Sequence, residues 1–121
     1  MAKKIVHVEF PAGEGDRAQR FWSELAGWSF NDTGQPGIDY RMYDGGGWGA
    51  AVWTSENAGE GPVIYFDSDD IDGTLSKVRD AGGQAEDKQP IPGIGWFAHC
   101  HDTEGNAFSV FQGDESAAPQ G

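Results

Sequence analysis

The apolar positions of the chain fall into two similar halves. Val6, Val8 and Phe10 alternate with Ile5, His7 and Glu9, the period of a strand with two unlike faces, and predict a strand over residues 5–10. Pro11 is expected to stop its pairing. Ala18, Phe21, Trp22, Leu25 and Ala26 then recur at helical spacing, with Asp16 as candidate cap and Gly27 as stop. Strands follow over residues 28–30, 39–43 and 48–54, separated by the turn-rich stretch 31–37 and by Asp44-Gly45-Gly46-Gly47.

The second half repeats this plan. Residues 63–67 alternate, Asp70 or Asp72 can cap, Ile71, Leu75, Val78 and Ala81 form a stripe, and Gly82-Gly83 ends it. Strands over 84–88, 96–101 and 107–112 complete the order, with a loop at 89–95 and a turn at 102–106. Adding 56 to His7, Asp16, Trp22 and Gly27 gives Val63, Asp72, Val78 and Gly83. An offset that carries strand, cap, stripe and stop onto one another predicts a structural repeat. The expected organisation is one domain over 1–121: module one 5–54, a linker 55–62, module two 63–112 and a mobile polar tail 113–121. Either half alone is too small to bury both sides of its sheet.

Composition makes a core feasible. Hydrophobic content is only 37%, but seven Phe, five Trp and three Tyr add large buried area per residue. The net charge of -12 argues against nucleic acid and anionic membranes as partners and favours neutral or cationic ligands. The single cysteine, Cys100, excludes an intrachain disulfide. No hydrophobic leader follows Met1 and no apolar run nears the ~20 residues of a membrane span, so a cytoplasmic location is expected. There is no G-x-S-x-G elbow, phosphate loop or C-x-x-C, and no helix follows Gly45-Gly46-Gly47, which reads as a hairpin turn. Cys100 stands between His99 and His101, a setting that can activate a thiol, but adjacent strand residues point to opposite faces.

The VEF strand, the FWSELAGW helix end, the FDSDDIDGTLSKVRDAGG segment and the DTEGNAFSVFQ turn and strand together resemble the vicinal oxygen chelate superfamily. That group includes glyoxalase I, extradiol dioxygenases, and fosfomycin-resistance and bleomycin-binding proteins. The resemblance spans about residues 5–112 and implies an α+β fold, two βαβββ modules forming a cupped mixed sheet with helices on the outer face. Val6, Val8 and Phe10 would then meet helix one and leave Ile5, His7 and Glu9 for the cup. Ile64 and Phe66 would meet helix two and leave Val63, Tyr65 and Asp67. Phe10, Phe21, Trp22, Phe66 and Phe108 are assigned to the core.

Metal-using members of that superfamily hold a divalent ion with His or Glu from the first and last strands of each module. Those positions fall here on His7, Val63, Ser109, and Trp53 or Ala51. One imidazole does not hold a divalent ion, so no cofactor is expected. A metal would require Glu9, His99, His101, Asp67 or Glu104 to converge with His7. The resemblance and the aromatic content nominate His7, Glu9, Tyr40, Trp48, Trp53, Tyr65, Trp96 and Ser109 as ligand-binding residues, with His7 and Glu9 as the catalytic candidates. The expected function is small-molecule binding of the glyoxalase/bleomycin-resistance type, with an aromatic or cationic ligand in the cup. The alternative is a metal-dependent or acid–base lyase, isomerase or dioxygenase, and a third reading is an interaction module. Both a monomer and a homodimer, with or without module exchange, are compatible with the sequence.

Overall fold

The first alternating segment becomes β1 (Ile5–Ala12), which runs past the expected stop at Pro11. Pairing with β4 continues through Pro11 and Ala12, and the Ala12 carbonyl accepts a hydrogen bond from Ser55 N. The computed structural model describes residues 2–118 and divides into two units. The first is Val6–Val63; the second joins the opening residues through Ile5 to the chain from Ile64 onward. Each unit carries one copy of the repeated plan, and the fold is α+β.

In the first unit, β1 leads to α1 (Gly15–Ala26), then β2 (Asn31–Asp32), β3 (Tyr40–Asp44) and β4 (Gly49–Thr54). The strand order is β2-β3-β4-β1, with β1 parallel to β4 and the remaining pairs antiparallel. Glu14, not Asp16, caps α1 by accepting from Arg17 N at 3.1 Å. Gly27 ends the helix as expected, at a left-handed φ of 75° with its N–H on Ser23 O. Residues 28–30 do not start β2, which begins at Asn31; the Trp28 carbonyl instead accepts from Ser23 Oγ.

The apolar stripe does not settle how α1 is rotated. Phe21 and Leu25 are 56% and 67% exposed, although the stripe assigns Phe21 to the core. The inward row is Gly15, Ala18, Gln19, Trp22 and Ser23, of which the stripe supplies Ala18 and Trp22. Polar anchors fix it: Arg41 of β3 donates to Gln19 Oε1 at 2.9 Å and to Asp16 at 2.8 Å, while Ser23 bonds the Trp28 carbonyl. A side chain at Gly15 would collide with Asp39 and Arg41, so glycine permits this approach. Beside the row, Phe10 stacks on Trp22 at 4.4 Å, Trp22 on Trp28 at 5.7 Å, and Trp28 on Tyr43 at 5.8 Å.

Arg41 also forks onto Asp39, at 2.8 and 3.2 Å, while Thr54 donates to the same carboxylate. These bonds, Arg41 first, hold the Asp39 carboxyl below its ordinary range. Arg41→Lys keeps the charge but loses the planar fork. It should cost about 1–2 kcal/mol in urea unfolding, the scale of charge-assisted hydrogen bonds; an unchanged midpoint would show that the fork contributes nothing.

In the second unit, β5 (Val63–Asp67) leads to α2 (Ile71–Asp80), β6 (Gln84–Ala85), β7 (Gln89–Ile91), β8 (Gly95–His101) and β9 (Ala107–Gly113). β9 lies between β5, to which it is parallel, and β8; β6 and β7 both pair with β8. The single strand expected over 84–88 is therefore short, and the loop expected over 89–95 contains a strand. Asp70 is the cap of α2, accepting from Gly73 N, while Asp72 pairs with Lys88 at 3.0 Å. Ile71, Leu75, Ala98, Cys100 and Val110 form the buried core, with Val78, Ala85, Trp96 and Phe108 packed against it. The tail expected to be mobile is docked as far as Ala117. Asp114 N donates to the Ile94 carbonyl, Gly93 N donates to the Ala117 carbonyl, and Ala117 is 3% exposed. The remainder of that stretch, 119–121, lies outside the described residues. Among the described residues no helix is long and apolar enough to cross a membrane.

Candidate functional site

Strand register decides which side chains share a face. In the first unit His7 lies opposite Gly49, Glu9 opposite Ala51 and Pro11 opposite Trp53, while Tyr40 of β3 lies opposite Trp53 on its other side. Directly opposed residues point the same way. Phe10, on the other face, meets Trp22 of α1. His7, Glu9, Tyr40 and Trp53 therefore share the helix-free face, as the alternation of β1 predicts. Gly49 and Ala51 form its floor. A Cβ at Gly49 would stand 3.2 Å from His7 Nδ1 and 3.0 Å from the Tyr43 carbonyl, so the glycine makes room for the imidazole.

The central contact is His7 Nε2 to the Tyr40 hydroxyl, 2.8 Å. Burial pushes the His7 pKa down to about 4, because an imidazolium would have to shed water to form there. At neutral pH the imidazole is thus uncharged: one tautomer accepts the phenol proton, the other donates to the phenol oxygen. Glu9, 4% exposed, is the only carboxylate among the buried polar residues of the described chain. The face offers a neutral donor–acceptor pair, a buried acid and an indole.

In the second unit Tyr65 lies opposite Ser109, and Ser109 opposite His99. His99 Nδ1 and Ser109 Oγ are 2.8 Å apart, and Ser109 is fully buried. These three share the face away from α2, since Phe108 and Val110 pack toward the helix core. The hairpin arithmetic contained this pairing: a turn centred on Glu104 sets 101 opposite 107 and hence 99 opposite 109.

Two of the nominated aromatics stand elsewhere. Trp48 contacts Trp28 and Tyr43 in the aromatic cluster beside α1. Trp96 packs against the α2 core, donates from Nε1 to Asp114 at 3.0 Å and carries Lys88 over its ring. Each falls on the opposite face from its unit's polar cluster, because Trp96 has the same parity as Ala98 and Cys100, and Trp48 precedes β4 at a turn. Cys100 is 1% exposed in that core, and burial raises its pKa, which removes it as an activated thiol.

Each residue that would have to replace the superfamily's metal ligands has its own setting within its unit. His101, Asp67 and Glu104 are exposed, Asp67 lies opposite Phe111, and Glu104 takes the Thr103 hydroxyl in the turn. His99 is engaged by Ser109, and His7 Nε2 by Tyr40. Among the described residues no group of three or more His, Cys, Asp or Glu is arranged to hold an ion.

Comparison with known proteins places this geometry in context. The Glyoxalase-like domain family matches residues 7–111. A glyoxylase-like domain-containing protein of Didymella fabae is 28% identical over 117 residues, 88% of this chain and 91% of that one. Among solved structures, a hypothetical protein of Bacillus halodurans C-125 superposes with a TM-score of 0.71 at 16% identity, covering 98% of this chain and 100% of that one. Methylmalonyl-CoA epimerase of Mycobacterium tuberculosis gives 0.67 at 14% identity, covering 91% and 87%. A Streptomyces coelicolor methylmalonyl-CoA epimerase in complex with 2-nitronate-propionyl-CoA gives 0.68 at 18%, covering 98% and 100%. At these identities the structural likeness establishes the fold.

Proposed function

The chain belongs to the glyoxalase-like domain family, and from that premise we propose that it binds an aromatic or cationic small molecule on the helix-free face of its first unit, without a resident metal ion. The observation that carries this reading is the uncharged His7 imidazole paired with Tyr40 beside Trp53. A neutral imidazole and a phenol present one donor and one acceptor without the cost of burying charge. An indole face adds stacking with planar rings and attraction for cations. The net charge of -12 acts in the same direction.

Calorimetric titration with neutral and cationic bicyclic heteroaromatics tests the proposal. Trp53→Leu should weaken the best ligand at least tenfold. Tyr40→Phe, which removes one hydrogen bond of about 1 kcal/mol, should weaken it about fivefold. Full affinity in both variants, or no binding by any compound in the panel, would overturn the reading. Elemental analysis of untagged protein should find no stoichiometric transition metal.

Glu9 supports a second reading. A buried carboxylate two residues from a neutral imidazole, on one strand face, is a general-base arrangement suited to a lyase or isomerase. Turnover abolished by Glu9→Gln, with binding retained, would favour it over simple sequestration.

A further inference from the structure

On the opposite side of the second unit, between α2 and the sheet, lies a hollow of about 370 Å3 lined by Phe66, Thr74, Val78, Phe108 and Val110, with Lys3 and Lys77 at its edge. It shares no residue with the site above. Its wall is almost wholly apolar: Phe66 and Phe108 meet edge to face at 5.8 Å, and Val110 is 1% exposed. Thr74 turns its hydroxyl onto Ser68 at 2.8 Å, so the threonine does not make the wall polar. The volume lies at the lower end of the range for small-ligand pockets.

The charge at the rim identifies the class of ligand. The chain has eight Lys and Arg against twenty Asp and Glu, yet two of the eight border this hollow. Arg41, Arg79 and Lys88 form the ion pairs found among the described residues, and neither Lys3 nor Lys77 is in one. Lys3 precedes β1, and Lys4 O accepts from Asp67 N, which fixes the opening segment against the end of β5. Lys77 stands on α2 one position before Val78 of the wall. The hollow is thus lined by lysines from two separate elements.

We propose that this hollow binds a small amphiphilic carboxylate, with its hydrocarbon part against Phe66, Val78, Phe108 and Val110 and its carboxylate between Lys3 and Lys77. A free amphiphile fits better than a membrane surface, because the hollow has small-ligand dimensions.

Decanoate below its micellar concentration is the probe, titrated into 15N-labelled full-length protein and in parallel by calorimetry. Saturable amide shifts should cluster at Thr74, Val78 and Phe108. Lys3→Gln with Lys77→Gln should weaken binding at least tenfold, and decan-1-ol should bind at least tenfold more weakly than decanoate. Val78→Trp, which fills the hollow, should abolish binding. The lysine pair sits on the surface, so its variant tests the proposal even if Val78→Trp does not fold. Shifts elsewhere, equal affinity for decanoate and decan-1-ol, or no saturable binding would overturn it. The lysine variant should leave heteroaromatic binding unchanged and Trp53→Leu should leave decanoate binding unchanged, so either site can fail without the other.

Discussion

Ile71→Ala should lower the unfolding free energy by about 2–5 kcal/mol, the range for truncating a large buried aliphatic residue. Ile71 is 2% exposed and closes a core made with Leu75, Ala98, Cys100 and Val110. Small neighbours such as Ala98 and Cys100 have little side chain with which to collapse into the space, so the upper half of that range is expected. The residue also opens α2, but its backbone N–H bonds to Gln112 Oε1 and survives the substitution. The loss is therefore one of packing and not of capping. Urea unfolding should show a lower midpoint at unchanged slope. Phe21→Ala and Leu25→Ala are the counterpart. Both positions are more than half exposed, and each should cost less than about 1 kcal/mol. A cost at Phe21 equal to that at Ile71 would mean that α1 is rotated differently from the description above.

Acidification from pH 7 to 4 should remove up to about 3 kcal/mol through His7 alone. The folded pKa of about 4 lies below the ordinary value of 6.5. Between those values the unfolded chain binds a proton that the native protein does not, so stability rises with pH across the window. The contribution is complete above about 6.5 and fully lost below about 4. Asp39, Asp102 and Asp114 are also held low, by Arg41, Asn106 and Ser116 first in each case, but their contributions fade below the ordinary carboxylate range. The two effects separate along the pH axis. His7→Gln should flatten the stability profile between pH 4 and 6.5 and leave the more acidic limb unchanged. An imidazole that titrates near 6.5 by NMR would refute the prediction, and with it the claim that the imidazole is uncharged at neutral pH.

The lessons differ for the two faces of the sheet. The period of β1 alone separated His7 and Glu9 from Phe10, and the period of β5 separated Tyr65 from Phe66, because successive strand residues must point to opposite sides. Gly27 as a helix stop followed from local chemistry, while the choice of Asp70 over Asp72 as cap needed the structure. Trp48 and Trp53 have opposite parity in a strand over 48–54, so both could not face the cup; the packing of Trp48 on Trp28 and of Trp96 on the α2 core places those two on the helix side.

What the amino-acid order determined by itself is the repeated βαβββ plan, the two faces of each first strand and the family to which the chain belongs; short-range periodicity and turn chemistry are sufficient for these. Only the tertiary structure decided that Tyr40 meets His7 across an intervening strand and that Arg41 turns α1 so that Phe21 faces outward. Those contacts join residues far apart in the chain through strand register and a few polar anchors, and neither is encoded in the periodicity of a single segment.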